Sequence, residues 1–520
     1  MNNSSETKQI LIVGGGTAGW ITAAYLGKHL SCNEPGSVQV TLIESEDIGT
    51  IGVGEGTFPT MRVTLETLGI SETEFVRETN ATFKQAAKFA NWLYNPSDNH
   101  PRNYYYHPFD VPLGGPHMDI AKYWLNEQEK YGPYFDEAVC IQGTICETNL
   151  APKKITNREY EGLNYAYHLD AAAFARLLRK KATTEFGVKH LVGTVSKVKQ
   201  SEDGSIAAVY SEEHGELAAD LFVDCTGFKA MLIGELYDTP FKSIDDVLLV
   251  NHALTVQVPY ASEDTPIPTH TISTAQEAGW TWDIGLQHRR GIGYVYSSNH
   301  TTHERAEDVL AQYLDKGVDL STARRIPMKT GYRTKQWYKN CVSIGLSAGF
   351  CEPLEATAIA MIELAARFLV SEFPYSKAYY PIAAKEFNES FVYRWDAIVD
   401  FVKMHYYLSK RDDHQFWLDN THPSTATESL LHKLEKWRYS TPNRNDFPNV
   451  NEMFGVESNQ FVLYGMGFKS HIPKSALITE QKRADKLQKQ LAMQRSKIHQ
   501  MLPTQRQLIE QVMQHGFARI

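Results

Sequence analysis

Residues 9–44 constrain the fold more than any other stretch. Gln9-Ile10-Leu11-Ile12-Val13 is an apolar run that reads as a buried parallel strand. Gly14-Gly15-Gly16-Thr17-Ala18-Gly19 follows, then Trp20–Leu26 at helical spacing, and a second apolar run, Val38–Ile43, ends in Glu44. Strand, glycine turn, helix, strand and acid make a βαβ unit about 35 residues long. Gly14 permits the tight turn, Gly16 lets backbone approach a pyrophosphate, and Gly19 lets the helix pack closely on the strand. The helix N-terminus, with Thr17 and Ala18 in its first turn, offers free N–H groups to the phosphate. Glu44 stands where an acid would hold a ribose hydroxyl. A dinucleotide is the expected ligand, and a glycine turn without one is the alternative.

At 520 residues the chain exceeds what a single core supports, and its length suggests about three domains, or two if they interrupt one another. Hydrophobic residues at 42% and charged residues at 22% exclude wholesale disorder. A net charge of −9 offers no basic field for nucleic acid. No apolar run approaches the ~18 residues of a membrane span, and Ile10–Val13 is too short for a signal-peptide core. The six cysteines contain no CxxC, so neither a zinc site nor a disulfide scaffold is expected. A reducing, cytoplasmic setting follows as the expectation.

Further along, the glycine-rich loop Gly49–Thr57 contains Gly54 and Glu55 and precedes a helix expected over 59–68. Residues 95–160 read as irregular with short helices, 169–181 as a helix, and 192–210 as a hairpin with Gly204 at its tip. Leu221-Phe222-Val223-Asp224 is another buried strand, running into Gly227. Residues 247–300 alternate as a further sheet. Ser343–Gly349, with Gly345, makes a third glycine turn before a strong helix over 356–370, in which Glu363 and Arg367 are spaced for an i,i+4 pair. The basic tail over 475–500 reads as a solvated helix face. The Asp224–Gly227 and Gly345–Gly349 turns favour FAD over NAD as the dinucleotide. The expected class is α/β, α+β overall: a Rossmann-like FAD lobe over 1–95 and 161–374, a substrate-lobe insertion over 96–160, and a mostly helical substrate lobe over 375–520.

Several motifs then become specific. Gly14–Trp20 and the loop Gly52–Thr57 resemble the opening motif and the flavin-covering loop of the flavin-dependent tryptophan halogenase family. Asn80-Ala81-Thr82-Phe83-Lys84, Tyr165–Asp170, Trp280-Thr281-Trp282-Asp283-Ile284 and Gly349–Glu355 are similar to further family segments. The resemblance covers residues 10 to about 370.

This resemblance implies an FADH2-dependent halogenase that uses O2 and halide. Reduced flavin would come from a separate NAD(P)H-dependent reductase, and a flavin hydroperoxide would oxidise halide to hypohalous acid. Lys84 would present the oxidant to an aromatic substrate such as tryptophan or another indole, either as a haloamine or as a hydrogen-bond donor. Read without the motif, Lys84 is a surface lysine on a helix. Glu355 would fix the halogenating species and take the proton from the arenium ion; otherwise it caps the following helix. The resemblance puts halide at Thr357 and Ala358, and the substrate ring against His107 and Phe109. It makes Trp280 and Trp282, which share a face of their strand, a barrier confining the oxidant. A homodimer is compatible with it.

Two departures stand out. Gly285 replaces a family proline, which would loosen the tryptophan strand, and Ala356-Thr357-Ala358 replaces Ser-Thr-Gly beside the expected halide site. The rival readings are an aromatic monooxygenase that needs no halide and a flavoprotein that binds an aromatic ligand without turnover.

Overall fold

The expected βαβ unit forms as β1 (Gln9–Val13), α1 (Thr17–His29) and β2 (Gln39–Glu44). The computed structural model describes residues 6–46, 54–449 and 452–518, so the glycine-rich loop expected from Gly49 is described only from Gly54 onward. Every residue of α1 from Gly19 to Gly27 is buried. A helix buried all round needs partners on several sides. Here they are the sheet and the helices Ala171–Thr184 and Thr357–Ser371.

β1 and β2 sit in a six-stranded sheet whose order is Trp337–Tyr338, Cys341–Ser343, Leu221–Asp224, β1, β2, Lys189–Val192. Its strands run parallel, except that Trp337–Tyr338 is antiparallel to its neighbour. The first and third glycine turns, and the Asp224–Gly227 turn, therefore leave adjacent strands at one edge, where open parallel sheets bind ligands.

A second sheet of seven strands is ordered Arg324–Pro327, His252–Pro259, Arg289–Tyr296, Gly279–Gly285, His270–Gln276, Ala86–Ala90, Tyr104–Pro108. A small sheet pairs Ala166–Leu169 with Glu55–Gly56 on one side and Thr82–Lys84 on the other. Lys84 thus lies on a buried strand, not on a surface helix. The 28-residue helix Tyr380–Tyr407 then crosses the molecule, and helices predominate beyond it.

Two expectations are corrected here. Gly285 does not loosen the tryptophan strand: it stays in register opposite Arg290, and its carbonyl accepts the Thr82 hydroxyl at 2.6 Å. A side chain at 285 would approach the Tyr260 hydroxyl, Pro268 and Ile267 closely. Glu363 and Arg367 make no direct pair among the described residues. Glu363 accepts from Thr60 and Thr64, while Arg367 donates to Thr64 and the Tyr25 hydroxyl. Burial pushes the Glu363 carboxyl up to about 7, so hydroxyl donors suit it better than a buried ion pair would.

Candidate active site

The three glycine turns converge on one cavity of about 380 Å³. Its wall includes Gly16, Thr17 and Ala18, Gly54 and Glu55, Gly227, and the Gly345–Gly349 turn. The glycines divide by function. A Cβ on Gly14, at φ +111°, would lie 2.2 Å from the Cys225 carbonyl, and one on Gly19 would lie 1.9 Å from the Gly14 carbonyl. A Cβ on Gly16 would meet nothing within 4 Å. Gly14 and Gly19 are therefore demanded by packing, whereas Gly16 leaves open space beside the N-terminus of α1.

That helix has no side-chain cap, and neither does Thr357–Ser371, whose first residues Thr357 and Ala358 also line the cavity. Two uncapped helix N-termini facing one cavity suit an anionic ligand. The preceding Ala356 takes a left-handed conformation, φ 54°, and is the N-cap; Glu355 does not cap this helix. Such a setting fits a flavin dinucleotide.

The two expected acidic residues at the strand ends have protein partners of their own. The Glu44 carboxylate lies against Gly15 and is engaged by His190 at 2.8 Å. Asp224 is fully buried and accepts from the backbone of Thr226, Leu232 and Ile233, which holds the turn in shape. Glu55 does line the cavity, and burial, reinforced by Asp170, pushes it up to about 7.

Lys84 borders both this cavity and a second, charged region. It is 3% exposed, and its Nζ sits 5.2 Å from the Phe109 ring centroid. Among the described residues the ammonium has no hydrogen-bond acceptor. Burial pulls it down to about 8, although the Glu355 charge opposes that shift.

Glu355 faces away from the cavity. His107 Nδ1 lies 3.0 and 3.1 Å from its two oxygens, and His405 Nε2 lies 3.1 Å from Oε1, off the hydrogen-bond line. Burial would raise this carboxyl, but the two imidazoles outweigh it and hold Glu355 at about 2. The Tyr105 hydroxyl meets His405 Nδ1 at 2.5 Å. Burial raises the phenol well above its ordinary range, so Tyr105 stays protonated beside His405. Around this group lies an aromatic cage: Phe58 against Phe109 and Phe454, with Phe401 stacked on Phe454 at 3.8 Å between centroids.

Trp280 and Trp282 occupy the strand Gly279–Gly285 with their rings 6.3 Å apart. Trp282 lines the cavity, while Trp280 packs behind it on Trp92. Sequence reasoning missed Tyr105, Phe58, Phe401, His405 and Phe454. The available signal for His405 was its company: Asp400, Lys403 and His405 interrupt an apolar run of the long helix and are all buried.

The tryptophan halogenase family profile matches residues 9–480. The chain is 35% identical over 500 residues to tryptophan 6-halogenase SttH of Streptomyces toxytricini, covering 91% of this chain and 92% of that one. It is 34% identical over 497 residues to tryptophan 7-halogenase RebH of Lentzea aerocolonigenes, again covering 91% and 92%. The solved tryptophan halogenase of Shewanella frigidimarina superposes with a TM-score of 0.94 at 40% identity, over 99% of both chains. An uncapped, glycine-walled cavity bordered by a depressed lysine, in a chain this similar throughout, has one reading: it belongs to the tryptophan halogenase family and is a flavin-dependent halogenase.

Proposed function

We propose that this enzyme halogenates tryptophan, or a closely related indole, through Lys84 and Glu355, with FAD held in the glycine-walled cavity. The carrying observation is that Lys84 borders the cavity on one side and the Phe109 cage on the other. When bound in its reduced form, supplied by a separate reductase, flavin would provide hypohalous acid from O2 and halide. Gly16 and the first turn of α1 bind the diphosphate, and Thr357 with the Ala358 amide places the halide.

Lys84 then acts as a nucleophile. With its ammonium pulled down to about 8, roughly one molecule in ten carries the neutral amine at pH 7. The amine attacks the halogen of hypohalous acid: an N–halogen bond forms, the O–halogen bond breaks, and the departing hydroxide leaves as water with the proton lost from nitrogen. The indole ring, held between Phe109, His107 and Phe454, next attacks that halogen; the electron pair of the N–halogen bond returns to the Lys84 nitrogen, which takes up one proton to become the amine again, balanced by the ring proton that Glu355 removes. Glu355 takes the ring proton, which restores aromaticity. Its low proton affinity is no obstacle, because an arenium ion is a far stronger acid than any carboxylic acid. Trp282, backed by Trp280, closes the cavity wall against loss of oxidant.

The test is purified protein with FAD, a flavin reductase, NADH, O2 and either chloride or bromide, offered tryptophan, simpler indoles and phenols. A halogen isotope pattern on an indole product, absent without halide, is the expected result. A halide-independent gain of one oxygen would establish the monooxygenase instead.

A further inference from the structure

The mechanism makes no use of Glu352, yet its surroundings are unusual. It is 1% exposed and forms part of the cavity wall. Its Oε1 accepts two hydrogen bonds, from the Trp280 indole N–H at 3.2 Å and the Tyr406 hydroxyl at 2.7 Å. Its Oε2 is buried and has no partner. Tyr406 also packs on Trp92, the ring that supports Trp280. One carboxyl therefore ties the tryptophan strand to the long helix Tyr380–Tyr407.

We propose that Glu352 is a positioning residue that anchors the tryptophan wall through Oε1 and carries a titrating proton on Oε2, so that its charge sets how firmly Trp280 is held. The proton belongs on Oε2 because both donors occupy Oε1. An unpartnered buried oxygen cannot hold negative charge cheaply. Burial accordingly pushes this carboxyl up to about 7, against the Tyr406 and Trp280 hydrogen bonds and the attraction of Lys403. Lys403, on the same helix as Tyr406, is itself pulled down to about 7 by burial, so the two titrations are coupled. The neighbouring Cys351 is raised well above its ordinary range by burial and stays a thiol. A carboxylate accepts a hydrogen bond more strongly than the carbonyl of a neutral acid. The grip on Trp280 therefore tightens as pH rises through about 7. Its consequence for oxidant escape rests on the halogenase reading; the anchor itself does not.

The indole 15N–1H resonance of Trp280 in the flavin-free full-length protein, assigned with Trp280→Phe, tests the anchor. In the wild type it shifts between pH 6 and pH 8; in Glu352→Gln, which keeps the acceptor oxygen, it stays flat. Tyr406→Phe, which removes one donor to the carboxylate, moves the midpoint upward. A Trp280 resonance that does not titrate, or titrates equally in Glu352→Gln, overturns the proposal. In turnover, a β-diketone trap reads escaped hypohalous acid: from pH 8 to pH 6 wild-type escape rises severalfold more than escape in Glu352→Gln, in which only the Lys84 titration remains. Equal pH dependence in both proteins contradicts the role in the wall. If the wild type halogenated nothing, the catalytic reading would fall, and the flavin-free titration would still decide the anchor.

Discussion

The glycine-walled cavity and the Glu355 cage meet at Lys84, yet they are built in opposite ways. The cavity is made by what is missing. Gly16 and Gly227 leave space that a Cβ would enter without touching protein, and two helix N-termini lack side-chain caps. The cage is made by convergence. Glu355, His107, His405 and Tyr105 come from a one-turn helix, a sheet edge and a long helix, and each is nearly sealed from water. A backbone site tolerates change wherever no atoms crowd it. A convergent charged site fails when a charged member leaves, because the remaining charges stay buried and unpaired.

The sharpest way to break this comparison is at the cage. Lys84→Met lowers halogenated product by roughly 10³ or more, and Glu355→Gln by roughly 10²–10³, read by mass spectrometry of the product. Two neighbouring glycines separate packing from ligand space on the cavity side. Gly14→Ala, forced against the Cys225 carbonyl at positive φ, loses about 3 kcal/mol of stability in denaturant melts. Gly16→Ala meets no protein atom, so it melts within about 0.5 kcal/mol of wild type. Its FAD affinity, by calorimetry, falls about tenfold, or about 1.4 kcal/mol.

The pH profile follows from Lys84. Because burial lowers its proton affinity to about 8, the fraction of neutral amine grows about tenfold per pH unit below that value and levels off above it. With hypohalous acid supplied at a fixed rate, halogenation climbs toward pH 8 and plateaus, a profile that assigns the amine rather than the ammonium as the reactive form. The smallest effect is expected at Tyr105→Phe. Loss of the hydroxyl hydrogen-bonded to His405 Nδ1 costs about 1 kcal/mol, roughly a fivefold drop in rate, with the fold unchanged by circular dichroism.

The two regions also differed in how far the sequence revealed them. Backbone sites leave local signatures: a strand, spaced glycines and a helix sit side by side in the chain, so β1, α1 and the turns at Gly227 and Gly345 could be placed directly. Even there, side-chain partners were not readable. Glu44 finds His190 from a strand more than a hundred residues away, and Asp224 spends its acceptors on its own turn. In the cage, Lys84, His107 and Glu355 were reached through family motifs. His405 and Phe454, set in segments without such motifs, were not: the polar interruption at Asp400, Lys403 and His405 marks an unusual buried face but not what His405 meets there. The irregular segments around 95–160 likewise take their form from tertiary contacts such as Arg102 with Asp136, which no periodicity announces.

The most direct test counts halogenated product against flavin reoxidised in the same reaction, for wild type, Lys84→Met and Glu355→Gln. Both variants are expected to reoxidise flavin at the wild-type rate while product is lost, because the glycine turns and helix N-termini make the cavity, Lys84 touches it only where it meets the cage, and Glu355 does not line it. Flavin reoxidation that falls in step with product would contradict this, and would place Lys84 and Glu355 in the cofactor's site rather than the substrate's.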